Sequence, residues 1–309
     1  MRAEEQREYR ERKRERQRRR KRRKRLQRLY SFVLLLCVAV LAVWGVRRWF
    51  AGEEAAYEIS SPVVRTEEEV LAELQRMAKN SRDIRKILDR AEEYPPEMLA
   101  ALANNPEMLE FVSGYPDQSG AESDPQLTAA ERKEQYPLFL QWDQRWGYLP
   151  YGNSNIGMSG CGPTCLSMAV HALTGDDSVT PASMAQFSEE QGYYVEGTGT
   201  SWTLMTDGAA AFVLNGTELS LDEGIMKREL DEGHPYYHLH RDHPLAAGHP
   251  IICAMGPGDF TTAGHFILIC GYTDDGFQIN DPNCKARSGR VWSYEDLSRQ
   301  IRNLWSYQA

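Results

Sequence analysis

The sequence predicts an α+β domain carried behind one membrane-spanning helix and a small helical stalk. Three stretches carry that expectation. Residues 161–174, CGPTCLSMAVHALT, have the pattern of a single helix. Residues 264–282, GHFILICGYTDDGFQINDP, read as strand, turn and strand. Leu29 to Val46, LYSFVLLLCVAVLAVWGV, is an uncharged apolar run of 18 residues.

The apolar run is at the lower end of the length that crosses a hydrocarbon core of about 30 Å. Tyr30, Trp44 and Trp49 stand near its ends, where amphipathic rings prefer the interface. The formal net charge of −8 over 309 residues hides a division at the same place. Residues 1–48 hold 18 Lys and Arg against 5 Asp and Glu, a net +13, and the rest hold 18 against 39, a net −21. By the positive-inside rule the basic tail 1–28 is cytoplasmic, 29–50 spans the membrane, and the remainder is extracytoplasmic. No A-x-A site follows the apolar run, so it reads as an uncleaved anchor rather than a signal peptide. The basic run serves orientation and contact with anionic lipid, and no nucleic-acid partner is expected.

Residues 51–65 read as a polar linker. From Thr66 the sequence turns helical: TEEEVLAELQRMAK opens with a capping residue and acids, and Val70, Leu71, Leu74 and Met77 mark one face. Further short helices are punctuated by Pro95, Pro96 and Pro106, so 66–116 is expected to form the stalk. Residues 117–135 read as a second linker, and 136–309 as the main domain.

In the helix at 161–174, Pro163 sits just inside the start and Gly175 just past the end. Cys161 then occupies the first turn, where unpaired N–H groups and the positive end of the dipole favour a thiolate. Gly160 and Gly162 leave room for a substrate carbonyl to approach the sulfur. Cys165, one turn later, is placed for packing. A metal site or a disulfide between the two cysteines is the weaker reading, because no second ligand pair follows and an i,i+4 bridge constrains little. Five cysteines outside the apolar run leave at least one thiol unpaired unless it bonds another chain.

A thiolate nucleophile needs a base. His171 lies on the same helix and reads as structural. His234, His238, His240 and His243 form a cluster that reads either as a metal site or as an aromatic, polar loop. His265 opens a buried-looking strand, and the turn at Asp274–Gly276 folds Asp281 back towards it. A carboxylate there would fix the imidazole tautomer and support the imidazolium.

The motifs SGCGPTCLSMAV, GTGTSW, GPGDFTTAGHFILICGY and INDPN, in that order, resemble the C39-like peptidases of bacteria within the papain-like cysteine protease group. The resemblance covers about 136–307. It implies a papain-like fold in which the helix carrying the cysteine packs on an antiparallel sheet carrying the histidine. It also implies Cys161 as nucleophile, His265 as base and Asp281 as orienting acid, with a glutamine as oxyanion donor and no metal or cofactor. Many relatives have that glutamine about six residues before the cysteine, where this chain has Asn155; Gln141 is chosen over Gln144 for the role. The chain contains no nucleotide-binding P-loop and no multi-span region, which argues against leader processing inside the cell. The expected function is a membrane-anchored extracytoplasmic cysteine peptidase acting on a peptide or protein. A peptidoglycan amidase or endopeptidase using the same site, and a catalytically silent peptide-binding module, are the alternatives.

Overall fold

The computed structural model describes residues 60–120, 125–232 and 248–309. The expected basic tail, the membrane span and most of the first linker lie outside these residues. Among the described residues no helix is long and apolar enough to cross a membrane.

The first layer is helical. It comprises α1 (Glu67–Ala78), α2 (Arg82–Leu88), α3 (Pro96–Asn104) and α4 (Leu109–Gln118). Thr66 and Glu69 cap α1 reciprocally, as the sequence predicts, satisfying amides that a helix start leaves open. Proline at the first position of α3 costs nothing there because that N–H has no intrahelical partner.

The main domain is built on a six-stranded antiparallel sheet. Its strands are β1 (Asn215–Glu218), β2 (Ile251–Met255), β3 (His265–Thr273), β4 (Gly276–Asn280), β5 (Val291–Trp292) and β6 (Ile301–Gln308), in the spatial order β1-β6-β2-β3-β4-β5. The long helix α5 (Cys161–Thr174) packs on β3. It ends at Gly175 in the left-handed conformation (φ +67°). Leu166, Met168, Ala169 and Val170 on α5 share a core with Ile252, Phe266, Leu268 and Trp305 of the sheet. An opposite core, built on Ile251, Cys253, Ile267, Ile269 and Phe277, includes Met226 and Leu230 of α7 (Glu223–Asp231; α6 is Pro181–Glu190). The sheet is therefore apolar on both faces, which is why β2 lacks the alternation of a half-exposed strand. The β3–β4 turn is tight: Gly276 has φ +139°, and a Cβ there would lie 2.3 Å from the Trp292 carbonyl oxygen.

The helical layer departs from the expected stalk. Residues 58–309 form one compact unit. Phe111, Val112, Leu102 and Met98 share a core with Leu140 and Trp142 of the main domain. Phe111 stacks on Tyr148 at 4.8 Å and presses on Gly147 and Gly157. The described part of the second linker is likewise anchored. Leu127 is buried in the main core, and Arg145 pairs with Glu131 at 2.7 Å and donates to the Gln126 carbonyl. Composition alone read 117–135 as linker, but its one leucine, Leu127, is buried.

Phe111→Ala is expected to destabilise the compact unit by about 3–5 kcal/mol. Denaturant melts of the full chain check this. The loss is expected as one cooperative transition, because the cavity opens in a core shared by both parts.

Candidate active site

Three expected residues meet at the junction of α5, β3 and the end of β4. Cys161 is half-buried at the first turn of α5, and Cys165 is fully buried one turn deeper. His265 opens β3, and Asp281 directly follows β4. The antiparallel register, Leu268 opposite Asn280 and Thr273 opposite Gly276, returns the end of β4 to the start of β3.

His265 Nε2 lies 2.8 Å from Asp281 Oδ1. Cys161 lies near the same ring and contributes to its charge state. With Nε2 committed to the carboxylate, Nδ1 is the nitrogen left for the thiol. Burial pulls the imidazole pKa down, but the charge and hydrogen bond of Asp281, with a further contribution from Cys161, more than offset it and push it up to about 9. Asp281 is buried completely, which alone would raise its pKa. His265 and then Arg287, together with the Asn283 N–H, hold it below the usual carboxylate value.

Arg287 gives no sequence signal, since an isolated arginine in CKARSGR belongs to no motif. It lies on the short helix α8 (Lys285–Ser288), is buried, and donates from Nη1 to Asp281 Oδ2 at 2.8 Å. The Asn283 amide donates to Asp281 Oδ1 at 2.8 Å, and the Asp281 amide donates to Ser288 Oγ at 2.8 Å. The loop is gripped from the helical layer and from Trp142 of the main domain. Asn105 and Trp142 both donate to the Asn283 carbonyl, and the Glu107 carboxylate accepts from the Lys285 and Ala286 amides.

The glycines beside Cys161 serve the protein's own packing. A Cβ on Gly162 would lie 2.8 Å from Thr200 Cγ2, and one on Gly160 would lie 2.6 Å from the Ile156 carbonyl oxygen. Thr200 ends the small hairpin of Tyr194–Val195 and Gly199–Thr200, and its hydroxyl is held by Tyr151 at 2.9 Å. The GTGTSW segment is thereby seated against the start of α5.

Gln141 is buried. Its backbone amide donates to the Pro282 carbonyl (2.8 Å), and its Nε2 donates to the Gly157 carbonyl (2.9 Å). It ties the segment before Cys161 to the residue after Asp281, but it is not among the residues lining the cleft. Asn155 caps the short helix Ile156–Ser159 through the Met158 amide. His171 donates from Nε2 to the Glu134 carbonyl at 3.2 Å, a structural arrangement.

Cys161 and His265 open into a cleft of about 750 Å³ lined also by Met158, Thr198, Gly199, Trp202, Met255 and Arg302. A second hollow of similar volume, lined by Arg132, Asp177 and Gln186, contains none of the expected site residues. All five described cysteines are free thiols. Burial raises the pKa of Cys165 and Cys253 well above that of a free thiol and pushes Cys284 up to about 12, so all three stay protonated. The cluster at His234–His243 lies outside the described residues. Among those described, Glu229, Glu232 and His249 bring possible ligand atoms within 4.8 Å of one another, and His249 Nδ1 faces Glu229 Oε2 at 3.3 Å.

Arg287→Met is expected to cost about 3–5 kcal/mol, because it strands a buried carboxylate. It is also expected to raise the Asp281 pKa. Stability curves against pH check both: the variant should lose stability at a higher pH than the wild type as the solution is acidified.

Residues 133–309 match the Peptidase_C39 like family. None of the curated proteins matches the chain. The match takes in α5, the β3–β4 hairpin, α8 and the whole described lining of the cleft, and it leaves out the helical layer. The chain belongs to the Peptidase_C39 like family and is a C39-like peptidase.

Proposed function

We propose that the chain is a cysteine peptidase in which Cys161 is the nucleophile, His265 the acid and base, and Asp281 the residue that orients and charges the imidazole. The observation that carries this is that Cys161 and His265 open into one cleft and that His265 is hydrogen-bonded at 2.8 Å to a fully buried carboxylate. The Cys161 thiolate attacks the scissile carbonyl. The first-turn amide of Cys161 has no intrahelical acceptor and supplies a donor to the oxyanion. His265 passes its Nδ1 proton to the leaving amine, and the acyl thioester forms. The neutral imidazole then takes a proton from water, which attacks the thioester and releases the acid. Asp281 holds Nε2–H throughout.

Gln141 is the proposed side-chain donor, through the second hydrogen of Nε2. Gln141→Ala tests the role: a fall of about 10²–10³ in kcat assigns it the oxyanion, whereas a fall below tenfold with a lower Tm assigns it only the tie between Gly157 and Pro282.

The sign of the pH dependence follows from the shifts. His265 has a raised pKa, so its ion-pair contribution is complete below about 6.5 and is lost as pH rises through about 9. Asp281 has a lowered pKa, so its contribution is complete above about 3.9 and is lost on acidification. The alkaline limb of kcat/KM is expected near pH 9. Asp281→Asn removes the charge that favours the imidazolium, so that limb should move to lower pH and kcat should fall. The loss should be smaller than for His265→Ala. The double variant should be no worse than His265→Ala alone, because the two side chains act as one unit. Strictly multiplicative losses would separate them.

Product analysis by mass spectrometry, with the full chain offered both a peptide library and muropeptides, tests the reaction class. Cleavage lost in Cys161→Ser supports the proposal, and products from muropeptides alone would move it to cell-wall hydrolysis. The proposed placement is a single-span anchor with the cleft outside the cytoplasmic membrane, resting on the charge division about residues 29–46. Protease added to intact cells is expected to remove the C-terminal domain and spare an N-terminal tag. A protected C-terminus would reverse the orientation.

A further inference from the structure

We propose that Arg302 is a carboxylate-binding subsite of the cleft, so that the enzyme selects peptides carrying an acidic group about three residues from the scissile bond. The inference rests on the peptidase reading above.

Residues 49–309 have a net charge of −21, yet the described lining of the cleft contains no Asp or Glu. Its one permanently charged side chain is Arg302. The acids nearest to the lining in sequence are engaged elsewhere. Glu196 accepts from Asn153 Nδ2 at 2.8 Å, and Asp259 accepts from Gln300 Nε2 at 2.8 Å and from Ser61 Oγ at 2.6 Å. Arg302 itself is exposed and has no ion pair or hydrogen bond from its guanidinium among the described residues.

Its backbone explains why it faces the cleft. Ile301 pairs with Met255 and Asn303 pairs with Ala254, so Arg302 is the extra residue of a β-bulge. A bulge re-aims one side chain out of the alternation of the strand. The guanidinium then lies against Gly256: a Cβ on that glycine would stand 2.3 Å from Arg302 Nε and 2.8 Å from Cζ. A side chain at 256 would displace the guanidinium from this position.

The sheet register sets the distance from the chemistry. Met255 pairs with His265 on one side and with Ile301 on the other. Two strand spacings amount to about 10 Å, and an extended peptide covers that in about three residues. A planar guanidinium with open donors matches a carboxylate in bidentate geometry, and a carboxamide far less well.

The test uses the full chain with two sets of probes. The first is internally quenched octapeptides carrying Glu or Gln at each position in turn. The second is epoxysuccinyl peptides in matched Glu and Gln pairs, extended in either direction and read as the adduct on Cys161. Wild type should favour Glu over Gln about tenfold at one position, in kcat/KM and in labelling rate. Arg302→Gln should reduce that ratio below about twofold in both readouts. Equal handling of Glu and Gln by wild type, including no reaction with either, overturns the subsite. So does a preference that survives Arg302→Gln. If Cys161 is labelled but no peptide is cleaved, the peptidase reading fails and the labelling ratio alone decides the subsite.

Discussion

A carboxylate with no access to water sits at the centre of this protein. Removing an ionised Asp281 from solvent is affordable only with nearly every lone pair engaged, and the structure supplies His265, Arg287 and the Asn283 amide. The geometry of the site follows from meeting that demand. The imidazole is fixed in one tautomer because Nε2 must donate. The loop after β4 must fold into α8 to bring Arg287 back. That helix in turn takes its cap from Glu107, in a part of the chain far away in sequence.

The same demand explains the two cysteines of α5. A thiol on the first turn faces a cationic imidazole and the open amides of the helix start. A thiol one turn deeper is fully buried, and that burial, with the charge of Asp281 also near, penalises its ionised form. Four residues separate a thiol that opens into the cleft from one that burial keeps protonated, and the difference lies in burial rather than in residue type.

The helix at 161–174 and the β3–β4 hairpin were legible because their signals are local: a proline and a glycine at the helix ends, and Asp-Asp-Gly between two apolar runs. The pairing of His265 with Asp281 was legible in direction but not in register, because a bulge between Ile269 and Gly271 shifts the alignment. Arg287 was not legible, since its partner is reached only after the loop turns on itself. Gly160 and Gly162 read in the sequence as room for a substrate carbonyl, whereas the neighbours they accommodate are Ile156 and Thr200, which only tertiary packing reveals. Helix periodicity marked Val70, Leu74 and Met77 of α1, which are buried, but Leu71 on the same expected face is exposed, and periodicity could not say that Leu140 and Trp142 would join the core of the helical layer.

That shared cover separates two boundaries that are often treated as one. The stretch inherited as a recognisable family begins at 133. The stretch that folds as a unit begins before α1, and its helical layer supplies Asn105 and Glu107 to the loop that carries Asp281. A fragment trimmed to the inherited boundary would expose Leu140 and Trp142 to water and leave the start of α8 without its carboxylate. The helices ahead of the family domain are therefore scaffold for the loop that carries its buried acid.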